Sequence, residues 1–176
     1  MEVSDLRRRK LTAVFNAVDD NGNGFWELDD MKRIADGFAA RSGWSEDSHE
    51  FQSLSKLLGD WWNWLRTGAD IDIDGKVSLD EFVTTVAQFE QENHLRGLQL
   101  IFDVFDPSGD GTISGEEYRG LATIFHIDPA QADEIFLRLD LNGNGSISRE
   151  EFTQLWIDFW YSEDEGAAGN WMFGPY

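Results

Sequence analysis

Apolar residues recur along this chain at the three-to-four-residue spacing of amphipathic helices, in eight segments separated by polar stretches. In the first segment, Leu11, Val14, Phe15 and Val18 mark one helical face. Dipeptide Asp128-Pro129 is typical of a helix start. The pattern therefore predicts eight helices and an all-α fold. The apolar positions of the other seven segments are Leu28, Met31, Ile34, Ala35 and Phe38; Leu54, Leu57, Leu58, Trp61 and Leu65; Phe82, Val83, Val86 and Phe89; Leu98, Ile101, Phe102 and Phe105; Tyr118, Leu121, Ile124 and Phe125; Ile135, Phe136 and Leu139; and Phe152, Leu155, Trp156 and Phe159.

One polar pattern is repeated four times between these segments, at residues 19–30, 70–81, 106–117 and 140–151. Each copy has Asp, Asn or Ser at positions 1, 3 and 5, Gly at position 6 and an acid at position 12. When such a loop curls, the side-chain oxygens turn toward one point, and glycine permits the positive φ of the sharp turn. The acids can cluster because a bound cation compensates their charge.

These four loops resemble EF-hand calcium loops. The resemblance implies side-chain ligands at positions 1, 3, 5 and 12, a backbone carbonyl ligand at position 7, and up to four Ca²⁺ ions. The implied metal ligands are Asp19, Asn21, Asn23, Phe25 and Asp30; Asp70, Asp72, Asp74, Lys76 and Glu81; Asp106, Ser108, Asp110, Thr112 and Glu117; and Asp140, Asn142, Asn144, Ser146 and Glu151. For each loop the alternative is a degenerate hand that packs but binds no metal.

The four loops differ in their supply of carboxylates. Loops 70–81 and 106–117 have the most acidic ligands with Glu at position 12, so we expect them to bind Ca²⁺ most tightly. Loop 19–30 adds Glu27 at position 9 but ends in Asp30, whose side chain is one methylene shorter. Six-coordinate Mg²⁺ tolerates the shorter acid better than seven-coordinate Ca²⁺. Mg²⁺ is therefore an additional candidate ion for the first loop.

Position 8 of every loop is apolar, which indicates how the hands pair. Paired EF-hands usually join through a short two-stranded ribbon at this position, so we expect the first hand to pair with the second and the third with the fourth. The predicted domains are an N-terminal pair at 1–90, a C-terminal pair at 91–162 and an apolar tail at 163–176 that docks on the core. The position-8 residues are Trp26, Val77, Ile113 and Ile147.

The spacing of the loops indicates which group of EF-hand proteins the chain resembles. Loop starts are 51, 36 and 34 residues apart, and the segment "WWNWLRTGADIDIDGKVSLDEF" resembles the second hand of sarcoplasmic calcium-binding proteins and calerythrin. The junction "FEQENHLRG" at 89–97 is short. The resemblance implies two lobes packed into one compact globule and a role as an intracellular Ca²⁺ and Mg²⁺ buffer.

A more distant resemblance is to the coelenterazine-dependent photoproteins, carried by the ending "FWYSEDEGAAGNWMFGPY". Those proteins have a His one turn before a Trp in the last helix and another His in the first helix. Here Trp156 precedes Trp160, and the first His is His49. These departures argue against luminescence chemistry. A carrier of a small aromatic ligand remains an alternative because Trp61, Trp62, Trp64, Trp156, Trp160 and Tyr161 are grouped.

Composition excludes several classes of function. The formal charge of −20 disfavours nucleic acid and anionic membranes as partners, and the absence of Cys excludes thiolate chemistry. No catalytic constellation is visible around the histidines, His49, His94 and His126, so we expect no enzyme. Neither a membrane span nor a secretory signal is visible. We therefore expect a cytoplasmic monomer, with no protein partner identified.

The apolar end of the chain bears on the choice between a buffer and a sensor. Residues Trp171, Met172, Phe173, Pro175 and Tyr176 form an apolar terminus, which we expect to cover a groove. The chain has only three Met, whereas calcium sensors expose a Met-rich groove. Both features favour a closed buffer. The alternative is a Ca²⁺-triggered sensor that binds a partner helix.

Overall fold

The computed structural model describes residues 3–70, 72–86 and 98–176, except for the side chain of Leu100. Eight α-helices lie in this part of the chain, which confirms the all-α fold class. They are α1 (Asp5–Val18), α2 (Leu28–Ser42), α3 (His49–Ala69), α4 (Leu79–Val86), α5 (Leu98–Phe105), α6 (Gly115–Ile124), α7 (Pro129–Leu139) and α8 (Arg149–Tyr161), followed by a 3₁₀ turn at Ala168–Trp171. Among the described residues, none of the helices combines the length and apolarity needed to cross a membrane.

Two short antiparallel ribbons join the loops in pairs. Strand β1 (Phe25–Trp26) pairs with β2 (Val77–Ser78), and β3 (Thr112–Ser114) pairs with β4 (Ser146–Ser148). Position 8 faces position 8 in both ribbons, with Trp26 opposite Val77 and Ile113 opposite Ile147. The hands thus pair in the predicted order.

Parts of the predicted organisation fall on residues that the structure does not describe. Phe89, His94, the junction at 89–97 and the boundary between 90 and 91 lie outside the described residues. The domain boundaries remain predictions.

The helices after the loops begin where the loop residues cap them. Ser114 and Ser148 accept hydrogen bonds from the backbone N–H of Glu117 and Glu151, and each of these carboxylates accepts the N–H of its serine in return. Such reciprocal bonds satisfy two of the donors that a helix start leaves without an intrahelical partner. The acid at position 12 therefore both ends the loop and fixes the start of the helix. Asp128 and Pro129 begin α7 as predicted.

Aromatic rings fill the core of each lobe. Trp26 is fully buried, stacks on Phe15 at 5.1 Å between ring centroids, and donates its indole N–H to the Phe15 carbonyl at 2.8 Å. In the C-terminal lobe, Phe152 lies 5.3 Å from Phe105. Phe38 lies 6.2 Å from Phe105, so the two lobes share one continuous core.

Two large apolar residues, one of the helical pattern and one outside it, are more exposed than their type suggests. Leu28 is 45% exposed because it is the first residue of α2, and Trp64 is 40% exposed on α3. Of the three neighbouring tryptophans on α3, only Trp62 is fully buried. The aromatic group therefore belongs partly to the surface.

The C-terminal tail packs on α8, with Met172 and Phe173 buried. Lys10 of α1 is completely buried beside this tail. Its Nζ donates to the carbonyls of Asp158 and Ser162 at 3.1 and 2.8 Å, and to Oδ1 of Asn170 at 3.0 Å. One ammonium group thus joins the first helix, the end of the last helix and the tail. Burial lowers its pKa to about 8.

Candidate metal centres

The first carboxylate of each loop accepts several backbone N–H groups. In loop 140–151, Oδ1 of Asp140 accepts from Gly143 at 2.9 Å and Asn144 at 3.2 Å, and Oδ2 accepts from Gly145 at 2.7 Å. In the other three loops the position-5 and position-6 N–H groups donate in the same way to Asp19, Asp70 and Asp106. These bonds hold the loop curled and partly offset the negative charge. The predicted position-1 residues therefore occupy equivalent places in all four loops.

The acid at position 12 closes each loop from the other side. One carboxylate oxygen accepts the position-9 N–H: Asp30 from Glu27, Glu81 from Ser78, Glu117 from Ser114 and Glu151 from Ser148, at 2.8 to 2.9 Å. In the third and fourth loops the other oxygen also accepts the position-3 N–H. Loop and exit helix are thus tied together through one carboxylate.

The position-5 side chains complete the same arrangement. Oδ1 of Asn23, Asp74, Asp110 and Asn144 accepts the N–H of position 7 at 2.8 to 2.9 Å. This bond orients the position-7 peptide, whose carbonyl belongs to Phe25, Lys76, Thr112 or Ser146. The structure therefore gathers the predicted residues of each loop around its own turn.

The donor set fits a hard divalent cation. The second loop brings together three carboxylate oxygens that lie within 4.8 Å of one another, one each from Asp70, Asp72 and Asp74. All the predicted side-chain donors are oxygen atoms, which Ca²⁺ and Mg²⁺ prefer. Burial opposes ionisation of Glu117, but hydrogen bonds from Ser114 and Ser108 outweigh it and lower the pKa of this carboxyl. The carboxylate form that a cation needs is therefore favoured.

The second loop contains a backbone feature that its sequence pattern does not show. Ile73 adopts a left-handed conformation with φ of 62° and is 86% exposed. The other three loops have glycine at this position, Gly22, Gly109 and Gly143, where the same conformation carries no Cβ penalty. The loop with the most acidic ligands is therefore also the one that holds a β-branched residue in an unfavourable conformation.

Additional charged groups surround the first loop. Asp30 is completely buried, and its Oδ1 lies 3.2 Å from a guanidinium nitrogen of Arg33. Burial raises the pKa of Asp30 despite this cation. Glu27 contacts Lys76 of the second loop at 3.1 Å. A short acid that is already paired with arginine is a weaker partner for a large cation.

We expect Asp30→Glu to raise the preference of the first loop for Ca²⁺ over Mg²⁺ by about tenfold, since a longer side chain reaches bidentate geometry more readily. Competitive calorimetric titration with both ions measures this selectivity. Asp29→Glu, an exposed change one residue earlier, is the matched control. Unchanged selectivity in Asp30→Glu would contradict the role assigned to this position.

Sequence patterns did not reveal the surroundings of the histidines. His49 and His126 lie exposed at helix ends. However, Nε2 of His126 lies 3.1 Å from Oδ1 of Asp20, so a residue of the C-terminal lobe contacts the first loop. The contact spans 106 residues of sequence. Local periodicity could not have revealed it.

Comparison with known proteins agrees with this geometry. Residues 95–157 match the family model of an EF-hand domain pair. Calerythrin of Saccharopolyspora erythraea is 28% identical over 158 residues, which cover 85% of this chain and 89% of calerythrin. A sarcoplasmic calcium-binding protein from amphioxus has the same fold, with a TM-score of 0.73 at 21% identity, over 99% of this chain and 100% of that one. The calcium-loaded coelenterazine-binding protein of Renilla muelleri gives a TM-score of 0.73 at 22% identity, over 98% and 99% of the two chains.

Proposed function

We propose that this calcium-binding EF-hand protein, a relative of calerythrin and the sarcoplasmic calcium-binding proteins, is a cytoplasmic Ca²⁺ and Mg²⁺ buffer without enzymatic activity. The observation that carries the proposal is the same closed arrangement in all four loops, where carboxylates at positions 1 and 12 are held by backbone amides. A buffer needs only such sites and a fold that hides its apolar surface.

The chain's own residues do most of the preparation for binding. The loop amides hold the carboxylates in place, and the capping bonds of Asp30, Glu81, Glu117 and Glu151 tie each loop to its exit helix. Side-chain oxygens of the ligand set named above, together with the position-7 carbonyls, would hold the ion. A bound Ca²⁺ supplies the positive charge that the clustered acids lack.

The closed core supports a buffer in preference to a sensor or a ligand carrier. Phe159 lies 4.8 Å from Phe173 of the tail, and Trp156 lies 6.1 Å from the same ring. These rings pack against one another, which argues against a carrier of an aromatic ligand. The fold shared with the coelenterazine-binding protein does not by itself indicate such a ligand here.

One surface feature favours the sensor as the second candidate. A groove of about 300 Å³ lies between α2 and α3, lined by Leu28, Met31, Phe51 and Leu58 among others. A sensor would widen such a groove when calcium binds, and a partner helix would occupy it.

We expect binding of an apolar fluorescent dye to be lower with saturating Ca²⁺ than with chelator, because metal tightens a core that already hides its rings. Dye fluorescence measured in both conditions distinguishes the two functions, with calmodulin as the positive control for a sensor. A rise with Ca²⁺ that Leu28→Asp abolishes would support the sensor and contradict the buffer. Glu50→Asp, a charge-conserving change near the start of α3, is the control variant.

A further inference from the structure

The exit helices of the first and third hands pack directly on each other, although these hands belong to different pairs. A Cβ added at Gly37 of α2 would lie 3.6 Å from the side chain of Ile124 at the end of α6. Phe38, the next residue, lies 6.4 Å from Phe125. Helices α2 and α6 are therefore in direct contact at Gly37 and Phe38.

Arg41 of α2 extends across α6 at Gly120. A Cβ at position 120 would lie 1.9 Å from Nε of Arg41, so the guanidinium occupies the space that any other residue would need. One of its nitrogens, NH1, is buried and has no hydrogen-bond partner among the described residues. Nor does any described carboxylate lie within 4.0 Å of the guanidinium.

The charge of Arg41 interacts with the acidic residues at the start of α6. Burial lowers the pKa of the guanidinium, whereas the carboxylates of Glu116 and Glu117 raise it. Glu117 is the position-12 acid of the third loop and lies three residues before Gly120, on the same face of α6. A positive charge of the first hand therefore interacts electrostatically, without a direct ion pair, with a candidate ligand of the third.

The other end of α6 reaches the first loop. His126, just beyond the end of this helix, contacts Asp20 at 3.1 Å, and Asp20 follows the position-1 residue Asp19. Arg33 of α2 lies 3.6 Å from the same Asp20 carboxylate and 3.2 Å from Asp30. Helix α6 thus begins at the third loop and ends against the first.

We propose that α6 and Arg41 couple the first and third loops, so that occupancy of one changes the affinity of the other across the lobe interface. This inference rests on the proposed function, because both loops must bind metal. Binding in the first loop fixes α2. Arg41 of α2 then holds α6 in one arrangement, in which Glu117 is positioned for the ion of the third loop. The coupling is separate from that through the ribbons, which join the first loop only to the second and the third only to the fourth.

The full chain carrying Glu81→Gln and Glu151→Gln is the background for the test, since it leaves the position-12 acid intact only in the first and third loops. Calorimetry gives the Ca²⁺ affinity of the third loop with the first loop intact and with Asp19→Ala. We expect the ratio of these affinities to be about fivefold or more, within the usual range of coupling between sites. Adding Gly120→Ala displaces the flexible guanidinium without changing the charge, and we expect the ratio to fall to about one.

Two further variants separate coupling from simple packing. Arg41→Gln should also bring the ratio to about one, and it should raise the affinity of the third loop by about threefold because a positive charge near the ion is lost. Gly59→Ala, on α3 with no atom within 4 Å of the added Cβ, is the matched control and should leave the ratio unchanged. Metal-free melting of Gly120→Ala should not fall, since alanine favours the helix.

A ratio that stays at fivefold in Gly120→Ala and Arg41→Gln would overturn the proposed route. A ratio of one in the background chain, with Arg41 and Gly120 unchanged, would overturn the coupling and leave the buffer proposal intact. Absence of any Ca²⁺ binding by the unsubstituted chain would overturn both proposals.

Discussion

Chelation of Ca²⁺ is expected to lower the melting temperature of this protein by about 20 °C or more. Binding to the folded state alone stabilises it by about 2.7 kcal/mol per site when the free ion is a hundredfold above Kd, which gives about 11 kcal/mol for four sites. For a chain of this size, each kcal/mol shifts the melting temperature by about 2 to 4 °C. The effect is large because four sites add, and because the position-12 acid of each loop also bonds the residue at the start of its exit helix.

The negative charge of the chain explains why removal of metal is expected to destabilise the fold. Four Ca²⁺ ions would change the formal charge of −20 to −12, since each adds two positive charges. Without metal, the loop amides offset the repulsion only in part. We expect helices to persist in the chelated protein while side-chain packing loosens. Near-ultraviolet circular dichroism of the eight tryptophans would report this loss.

A single-site variant is the matched comparison for this experiment. Glu81→Gln should remove one site and lower the melting temperature of the calcium form by about a quarter of the full difference, while the chelated form changes little. Equal near-ultraviolet spectra and equal melting temperatures with and without Ca²⁺ would show that the loops are not coupled to the core.

Lys10→Met is expected to lower the free energy of unfolding by about 2 to 4 kcal/mol, because one buried and two partly buried acceptors lose their donor. Methionine fills a similar volume, so the change isolates the ammonium group. The acceptors are the carbonyls of Asp158 and Ser162 and the Asn170 side chain. Denaturant unfolding of the calcium form measures the loss. Lys56→Met, at an exposed ion pair with Asp60, should change the unfolding free energy by less than about 0.5 kcal/mol.

The free energy of unfolding should depend differently on pH in the wild type and in Lys10→Met. Burial lowers the pKa of Lys10 from 10.5 to about 8, with Glu163 and Asp158 raising it and Arg7 lowering it further. Between these two pH values the unfolded chain binds more protons than the folded one, so the contribution of Lys10 to stability rises with pH. The stability difference between wild type and Lys10→Met should therefore widen from pH 8 to pH 10. A difference that stays constant or narrows would contradict this assignment.

Local sequence patterns were sufficient for most of the fold and for the loops. The apolar residue at position 8, together with the EF-hand resemblance, predicted both ribbons, although these pair residues distant in sequence. Helical spacing located the helices because it depends on residues close in sequence. The ligand pattern placed the loop residues for the same reason. Leu28 fitted its helical stripe but is exposed, since a stripe cannot show where a helix end meets solvent.

Features that depend on distant contacts could not be predicted in this way. Lys10 lies among the basic residues "RRRK", and nothing local indicates that one of them is buried. Gly120 could not be recognised as the contact for Arg41, because the two lie on helices of different lobes. The left-handed conformation of Ile73 was also hidden, since the loop pattern allows any residue at that position.

The network around Lys10 has a consequence for how the protein is made in the cell. Lys10 is translated 160 residues before its acceptor Asn170. Helix α1 can therefore form early in synthesis, but its buried ammonium has no complete set of acceptors until Asn170 has been added. Since domains generally fold as units and N-terminal parts emerge first, the final packing step around Lys10 waits until residue 170 has left the ribosome. Nascent chains truncated before the 3₁₀ turn would remain unfinished and exposed to chaperones and proteases.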